Sequence, residues 1–221
     1  MNRIRADQVV ALRGATVRSV RWPPVLSAVL IVAAVLSWRD DWVDSLGSTV
    51  TGVRMTAVLL AVGTAFVLDD AASITVAASP TPLWWRRQLR YAVAGVFVLP
   101  AWTVVLVYAS ARQPGLPWPR LTLELLALLL FGLAAGAAAM RWRDLTDPGM
   151  TAALAILGFT LLGAQLPQRV ALFAAPGSAS WEPSTWRWAG ILLVAGAVLV
   201  AASRDPARAW PIDTTRLARL Q

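Results

Sequence analysis

The chain has 221 residues, of which 57% are hydrophobic and 14% charged, and its mean hydropathy is +0.60. A soluble domain carries about 25% charged residues; here the charges cluster between long apolar runs, which points to an all-α, polytopic integral membrane protein. The net charge of +8 and the pI near 11.5 do not imply a nucleic-acid partner, because the arginines flank apolar segments and form no long basic face.

Residues 1–21 form a cytoplasmic N-terminal arm with Arg3, Arg5, Arg13, Arg18 and Arg21. The arm is long and no convincing A-x-A site follows it, so a cleaved signal peptide is not expected. Six apolar segments follow as one transmembrane domain over 22–202, each compared with the roughly 20 residues that cross a hydrocarbon core. The first is 22–38, "WPPVLSAVLIVAAVLSW", and the second is 48–68, ending "TAVLLAVGTAFVL". Arg54 falls about two turns into the second.

The stretch after the second span is "DDAASITVAASPTPLWWRRQLR", residues 69–90. Acids oppose the macrodipole at a helix C-terminus, so Asp69 and Asp70 suit the N-terminus of a new short helix, "AASITVAAS", which they would cap. An ordinary solvated loop is the alternative. "SPTP" at 79–82 ends any helix, since each proline removes a donor and biases its predecessor away from the helical region. Leu83, Trp84 and Trp85 then favour lipid while Arg86, Arg87 and Arg90 favour headgroups, which makes an interfacial anchor leading into the third span.

The third span is 91–110, with Pro100 predicting a kink near 96–100. The fourth is 121–140, with Glu124 about one turn in. Its "GLAAG", Gly132 to Gly136, permits close helix approach within the bundle or across a dimer. The fifth is 150–166. Residues 167–185, "PQRVALFAAPGSASWEPST", begin apolar enough for a short interfacial or re-entrant helix and end as a Gly/Pro/Ser loop. The sixth span is 186–202, and 203–221 is a tail.

The arginines set the sidedness. If six helices alternate, the arm, the loop after the second span, the loop after the fourth and the tail share one side and hold fourteen arginines. The other side holds five, Arg39, Arg112, Arg120, Arg169 and Arg187, with Arg54 set aside. The positive-inside rule then places both termini in the cytoplasm of a multi-pass protein of the cell membrane. Most tryptophans, Trp181 and Trp188 among them, fall near predicted interfaces, where indole rings favour the headgroup level; Trp102 alone lies deep in a span.

Arg54 and Glu124 both lie towards the outer leaflet in this topology. An intramembrane charge costs several kcal/mol and so pairs or faces water. The two could be a gate or the polar lining of a transport path; equally, they could be a structural ion pair or two side chains snorkelling to the interface.

The remaining chemistry is limited by what the chain lacks. All twenty basic residues are Arg, and there is no Cys, His or Lys. Thiolate and imidazole chemistry, a lysine Schiff base and a G-x-x-x-x-G-K-[ST] phosphate loop are therefore impossible. No cofactor or metal is expected, and any ATP hydrolysis would belong to another chain. An intramembrane enzyme would have to use residues such as Asp69 and Asp70, but neighbours on a helix point about 100° apart and make poor acid–base partners.

In its organisation, the chain resembles the membrane subunit of an ABC-2-type transporter, most like the small permeases of high-GC Gram-positive bacteria. The residues that carry the resemblance are "DDAASITVAASPTPLWWRRQLRYAVAG" between the second and third spans, together with six spans, internal termini and the segment before the last span. The resemblance implies a coupling-type cytoplasmic helix that contacts an ABC ATPase subunit. Its candidate residues are Asp69, Asp70, Ala71, Ser73, Thr75, Ser79, Pro80 and Pro82, flanked by Arg86 and Arg87. It also implies a second membrane subunit, identical or not. The expected function is an exporter permease, with a non-transporting accessory or scaffold protein as the alternative.

Overall fold

The computed structural model describes residues 45–68, 83–143 and 147–203, together with Ser27, Ala28, Leu30 and Ile31, which are helical. Among the described residues there are five α-helices and no strand. They are α1 (Leu46–Ala65), α2 (Leu83–Arg112), α3 (Trp118–Arg143), α4 (Pro148–Ala164) and α5 (Trp181–Ser203), with 3-10 turns at Phe66–Leu68 and Gln168–Val170. Four helices contain stretches long and apolar enough to cross a membrane: Leu46–Ala65, Ala94–Arg112, Trp118–Arg141 and Trp181–Ala202. Helix α4, with 17 residues, is about 25 Å long, a little short of a hydrocarbon core of about 30 Å. The arm 1–21, most of the first predicted span and residues 69–82 lie outside the described residues.

Local chemistry explains the helix starts. Ser45 and Ser48 form a reciprocal capping box at α1, each side chain taking the other's backbone N–H at 3.2 Å. That satisfies two N–H groups that the first turn leaves unpaired. Helices α2 and α3 are joined by a turn in which Gly115 has φ +87°, a conformation that favours glycine. Pro148 opens α4, where its missing N–H costs nothing. The same logic corrects the last helix. Residues 181–185 fall in the Gly/Pro/Ser-rich stretch expected to be loop, but α5 already starts at Trp181 and runs through Pro183. Proline is tolerated in a first turn, and Glu182 beside it suits the positive end of the helix dipole. Helix α2 runs without interruption through Pro100, and its 30 residues include Trp84, Trp85, Arg86, Arg87 and Arg90 in the first turns.

Helix α3 is the centre of the bundle, packed against α1, α4 and α5. A Cβ on Gly132 would come within 2.5 Å of Ile156 Cδ1 in α4, so the glycine is what lets α3 and α4 approach. This is the intrachain use of the "GLAAG" pattern. Phe131, Phe159, Trp188 and Phe173 form a chain of ring contacts across α3, α4, α5 and the segment before α5, with centroids 4.7, 6.0 and 5.4 Å apart. The outer faces carry exposed Val96, Leu99 and Val104 on α2, Leu157 and Leu161 on α4, and Leu193 and Val194 on α5. Apolar side chains pointing away from the core on several helices suit a lipid surround.

Side-chain contacts fix the helix directions. The first turns of α1, α3 and α5 meet through Arg54, Glu124, Arg120 and Ser184, and the second half of α2 reaches the start of α3 through Trp102 and Thr122. Consecutive described helices therefore alternate in direction. One end of the bundle gathers the starts of α1, α3 and α5; the other gathers the ends of α1 and α3 and the starts of α2 and α4.

Candidate functional site

The polar centre of the bundle is an Arg–Glu–Arg cluster. Counting from the helix starts, Arg54 lies about 12 Å along α1 and Glu124 about 9 Å along α3, so both helices deliver their charge at similar depth. Arg54 Nε donates to Glu124 Oε2 at 2.7 Å and Arg54 Nη2 donates to Oε1 at 2.8 Å, a bidentate pair. Its remaining terminal nitrogen donates to the Ala174 carbonyl at 2.9 Å. The two residues are brought together across 70 positions of sequence and are buried, Glu124 being 1% and Arg54 7% exposed.

Arg120 is the third member. It is one turn before Glu124 on α3, and its Nε donates to Glu124 Oε1 at 3.3 Å. Its Nη1 donates to the Trp181 carbonyl at 2.6 Å and its Nη2 to Ser184 Oγ. Ser184 Oγ in turn donates to the Trp181 carbonyl at 3.0 Å. The guanidinium carbon lies 3.4 Å from the centroid of the Trp181 ring, and the Arg54 guanidinium lies 5.8 Å from the same ring and 5.7 Å from that of Phe173. Two cations thus share one carboxylate, and the excess positive charge is met by carbonyl oxygens and aromatic faces. The sequence reading counted Arg120 among loop cations. The signal that could have found it is the Arg-x-x-x-Glu spacing, which places the two side chains on one helix face.

The segment 171–180 completes the site; its apolar start is irregular where a short helix was expected, and its Gly/Pro/Ser part is loop, as expected. Apart from the turn Gln168–Val170 it is irregular, yet Leu172 and Ala174 are buried. Three of its carbonyls accept from side chains: Ala171 from Arg187 Nη1 at 2.8 Å, Leu172 from Trp188 Nε1 at 3.0 Å, and Ala174 from Arg54. Leu172 and Phe173 sit against Gly163 of α4, where a Cβ would stand 3.3 and 3.1 Å from their side chains. Trp188, expected at a lipid interface, is fully buried against this segment. Trp102, expected deep in a span, is buried and donates to Thr122 Oγ1 at 3.2 Å.

Chemically this cluster is closed. Both oxygens of Glu124 accept hydrogen bonds from guanidinium groups, which leaves no carboxylate free to act as a base. The cluster therefore ties α1, α3, α5 and the segment 171–174 together.

A separate feature is a cavity of about 590 Å³ between α3, α4 and α5, lined by Phe131, Ala135, Phe159, Gly190 and Val194 among others, with Arg187 at one end. The coupling residues Asp69, Asp70, Ala71, Ser73, Thr75, Ser79, Pro80 and Pro82 lie outside the described residues, as do the side chains of Trp84, Trp85, Arg86, Arg87 and Arg90. Comparison with protein-family models, curated proteins and solved structures finds no match for this chain.

Proposed function

We propose that the chain is the membrane-spanning permease subunit of an ATP-driven exporter of the ABC-2 kind. In this reading it has six spans and cytoplasmic termini in the cell membrane. It works with a second membrane subunit and with a separate ATPase that docks on residues 69–82. The observation that carries the reading is the division of the bundle into two unlike ends. The Arg54–Glu124–Arg120 cluster locks one end. The end that joins α1 to α2 and α3 to α4 is where the sequence places Arg86, Arg87, Arg90, Arg141 and Arg143, the side that the positive-inside rule makes cytoplasmic. A docking ATPase would meet that end and push against a bundle anchored at the other. Because the buried charges satisfy one another, the substrate that fits is lipophilic and travels along the bundle's apolar surface.

The test is purification from native membranes in mild detergent, with any copurifying ATPase identified and its hydrolysis measured. The expected result is a stable complex whose ATPase activity falls when residues 71–78 are replaced by a Gly/Ser linker of equal length, while the membrane subunit still folds. Recovery of no ATPase, together with transport unchanged by the replacement, overturns the proposal.

One observation favours the second reading, an accessory protein that binds partners and moves nothing. Arg54 and Glu124 are buried against each other within the chain and are not presented on its surface. Reconstituted vesicles separate the two: ATP-dependent movement of a lipophilic dye supports the permease, and complex formation without movement supports the accessory protein.

A further inference from the structure

The cavity between α3, α4 and α5 has a chemical polarity of its own. Its walls are almost wholly carbon: Phe131, Ala135 and Ala138 from α3, Phe159 from α4, and Gly190 and Val194 from α5. At about 590 Å³ it lies within the range of roughly 300–1,000 Å³ typical of small-molecule sites. Along α5 it extends from Arg187 to Val198, about 16 Å of helix, which suits a chain and not a compact solute.

Arg187 ends the cavity on the side of the Arg–Glu–Arg cluster. Its Nη1 and Nη2 donate to the carbonyls of Ala171 and Arg169 at 2.8 and 2.7 Å. Those bonds draw the guanidinium towards the end of the bundle and use two of the five donors that the group carries. Among the described residues no carboxylate pairs with Arg187 or with the exposed Arg169 beside it. A cation with no carboxylate partner among the described residues, at the end of an apolar slot, is complementary to an amphiphile with an anionic head.

We propose that this cavity is a binding site for one anionic phospholipid, with an acyl chain lying along α5 between Phe131 and Val194 and the phosphate on Arg187. The site stands independently of the ATPase partner, since its lining residues lie on α3, α4, α5 and the segment before α5. Gly190 gives it a steric control. A Cβ there meets nothing within 4 Å, so a larger side chain enters the slot without disturbing the helix, and replacing glycine within a helix favours folding.

The test uses the full chain in nanodiscs of equal parts phosphatidylglycerol and phosphatidylcholine, extracted into mild detergent and weighed by native mass spectrometry. The expected result is one phosphatidylglycerol retained per chain, preferred over phosphatidylcholine by about ten-fold, because the choline ammonium is repelled by Arg187 and offsets the phosphate charge that would pair with it. Arg187→Gln brings the two lipids close to parity and Arg187→Lys keeps most of the preference. Gly190→Phe abolishes retention of both with an unfolding midpoint no lower than that of the unaltered protein in lipid-free detergent, and this arm decides the matter even if Arg187→Gln destabilises the segment it holds. Equal retention of both lipids by the unaltered protein, or phosphatidylglycerol retention unaffected by Gly190→Phe, overturns the proposal. A lipid-free dimer that Gly190→Phe splits also overturns it and assigns the slot to a second copy of the chain.

Discussion

Replacing Glu124 tests the reading of the cluster as one electrostatic unit. Glu124→Leu removes the acceptor of three guanidinium hydrogen bonds, at 2.7, 2.8 and 3.3 Å. Arg54 keeps only the Ala174 carbonyl, and Arg120 keeps the Trp181 carbonyl and Ser184. The buried site passes from a net charge of +1, two cations and one anion, to +2. Removing one partner of a buried pair costs about 3–5 kcal/mol, and Glu124→Leu belongs at the upper end because it strands two cations at once. Arg54→Met strands none, since Glu124 retains Arg120, so it should cost less, about 2–3 kcal/mol. The diagnostic is the double variant. Arg54→Met in the Glu124→Leu background removes one stranded cation and should recover about 1–3 kcal/mol. Unfolding titrations with SDS in mixed micelles give the four corners of the cycle. A Glu124→Leu cost below about 1 kcal/mol, or a double variant less stable than Glu124→Leu alone, refutes the reasoning and leaves the three residues as independent surface-like groups.

Three further outcomes follow from the packing. Gly132→Val forces a side chain into Ile156 and should cost about 1–3 kcal/mol, most of it restored by adding Ile156→Ala; no restoration would show that the contact does not limit the approach of α3 and α4. Trp188→Phe keeps the ring contacts but strips the Leu172 carbonyl of its donor, for about 1–3 kcal/mol, and should speed amide exchange at 171–174 without affecting α1. Ser184→Ala leaves Arg120 its carboxylate and the Trp181 carbonyl, so its loss should stay near 1 kcal/mol, well below that of Glu124→Leu in the same titration.

The helices were legible because apolar runs of about 20 residues have few alternatives in a bilayer. Their starts were less so: Pro183 reads as a breaker unless it is recognised as a first-turn residue. Arg54 and Glu124 stood out as isolated charges in apolar sequence, but which one pairs with which is a tertiary fact spread over 70 positions. Arg120 was hidden by its own neighbourhood, since the prolines at 117 and 119 make it look like a loop residue. Trp188 was misread because composition cannot distinguish an indole at a headgroup from one bonded to a buried carbonyl; both are amphipathic positions.

The irregular segment 171–174 was the least legible part, and its cause lies outside its own residues. Leu172, Phe173 and the alanines on either side carry no turn signal and could equally have formed helix. In a helix their carbonyls would be consumed along the axis. Here three of the four are presented sideways to side-chain donors on α1 and α5: Arg187, Trp188 and Arg54. With one carboxylate for two buried guanidinium groups, the bundle is short of acceptors, and backbone carbonyls are the cheapest ones available away from water. The segment stays out of helical form because the arginines need its carbonyls. Arg54→Met should therefore release the Ala174 carbonyl and raise amide exchange through 171–176, whereas Arg120→Met, whose donors go to Trp181 and Ser184, should leave that segment protected. Equal loosening by both variants would mean that apolar packing against Gly163, and not the search for acceptors, holds the segment in place.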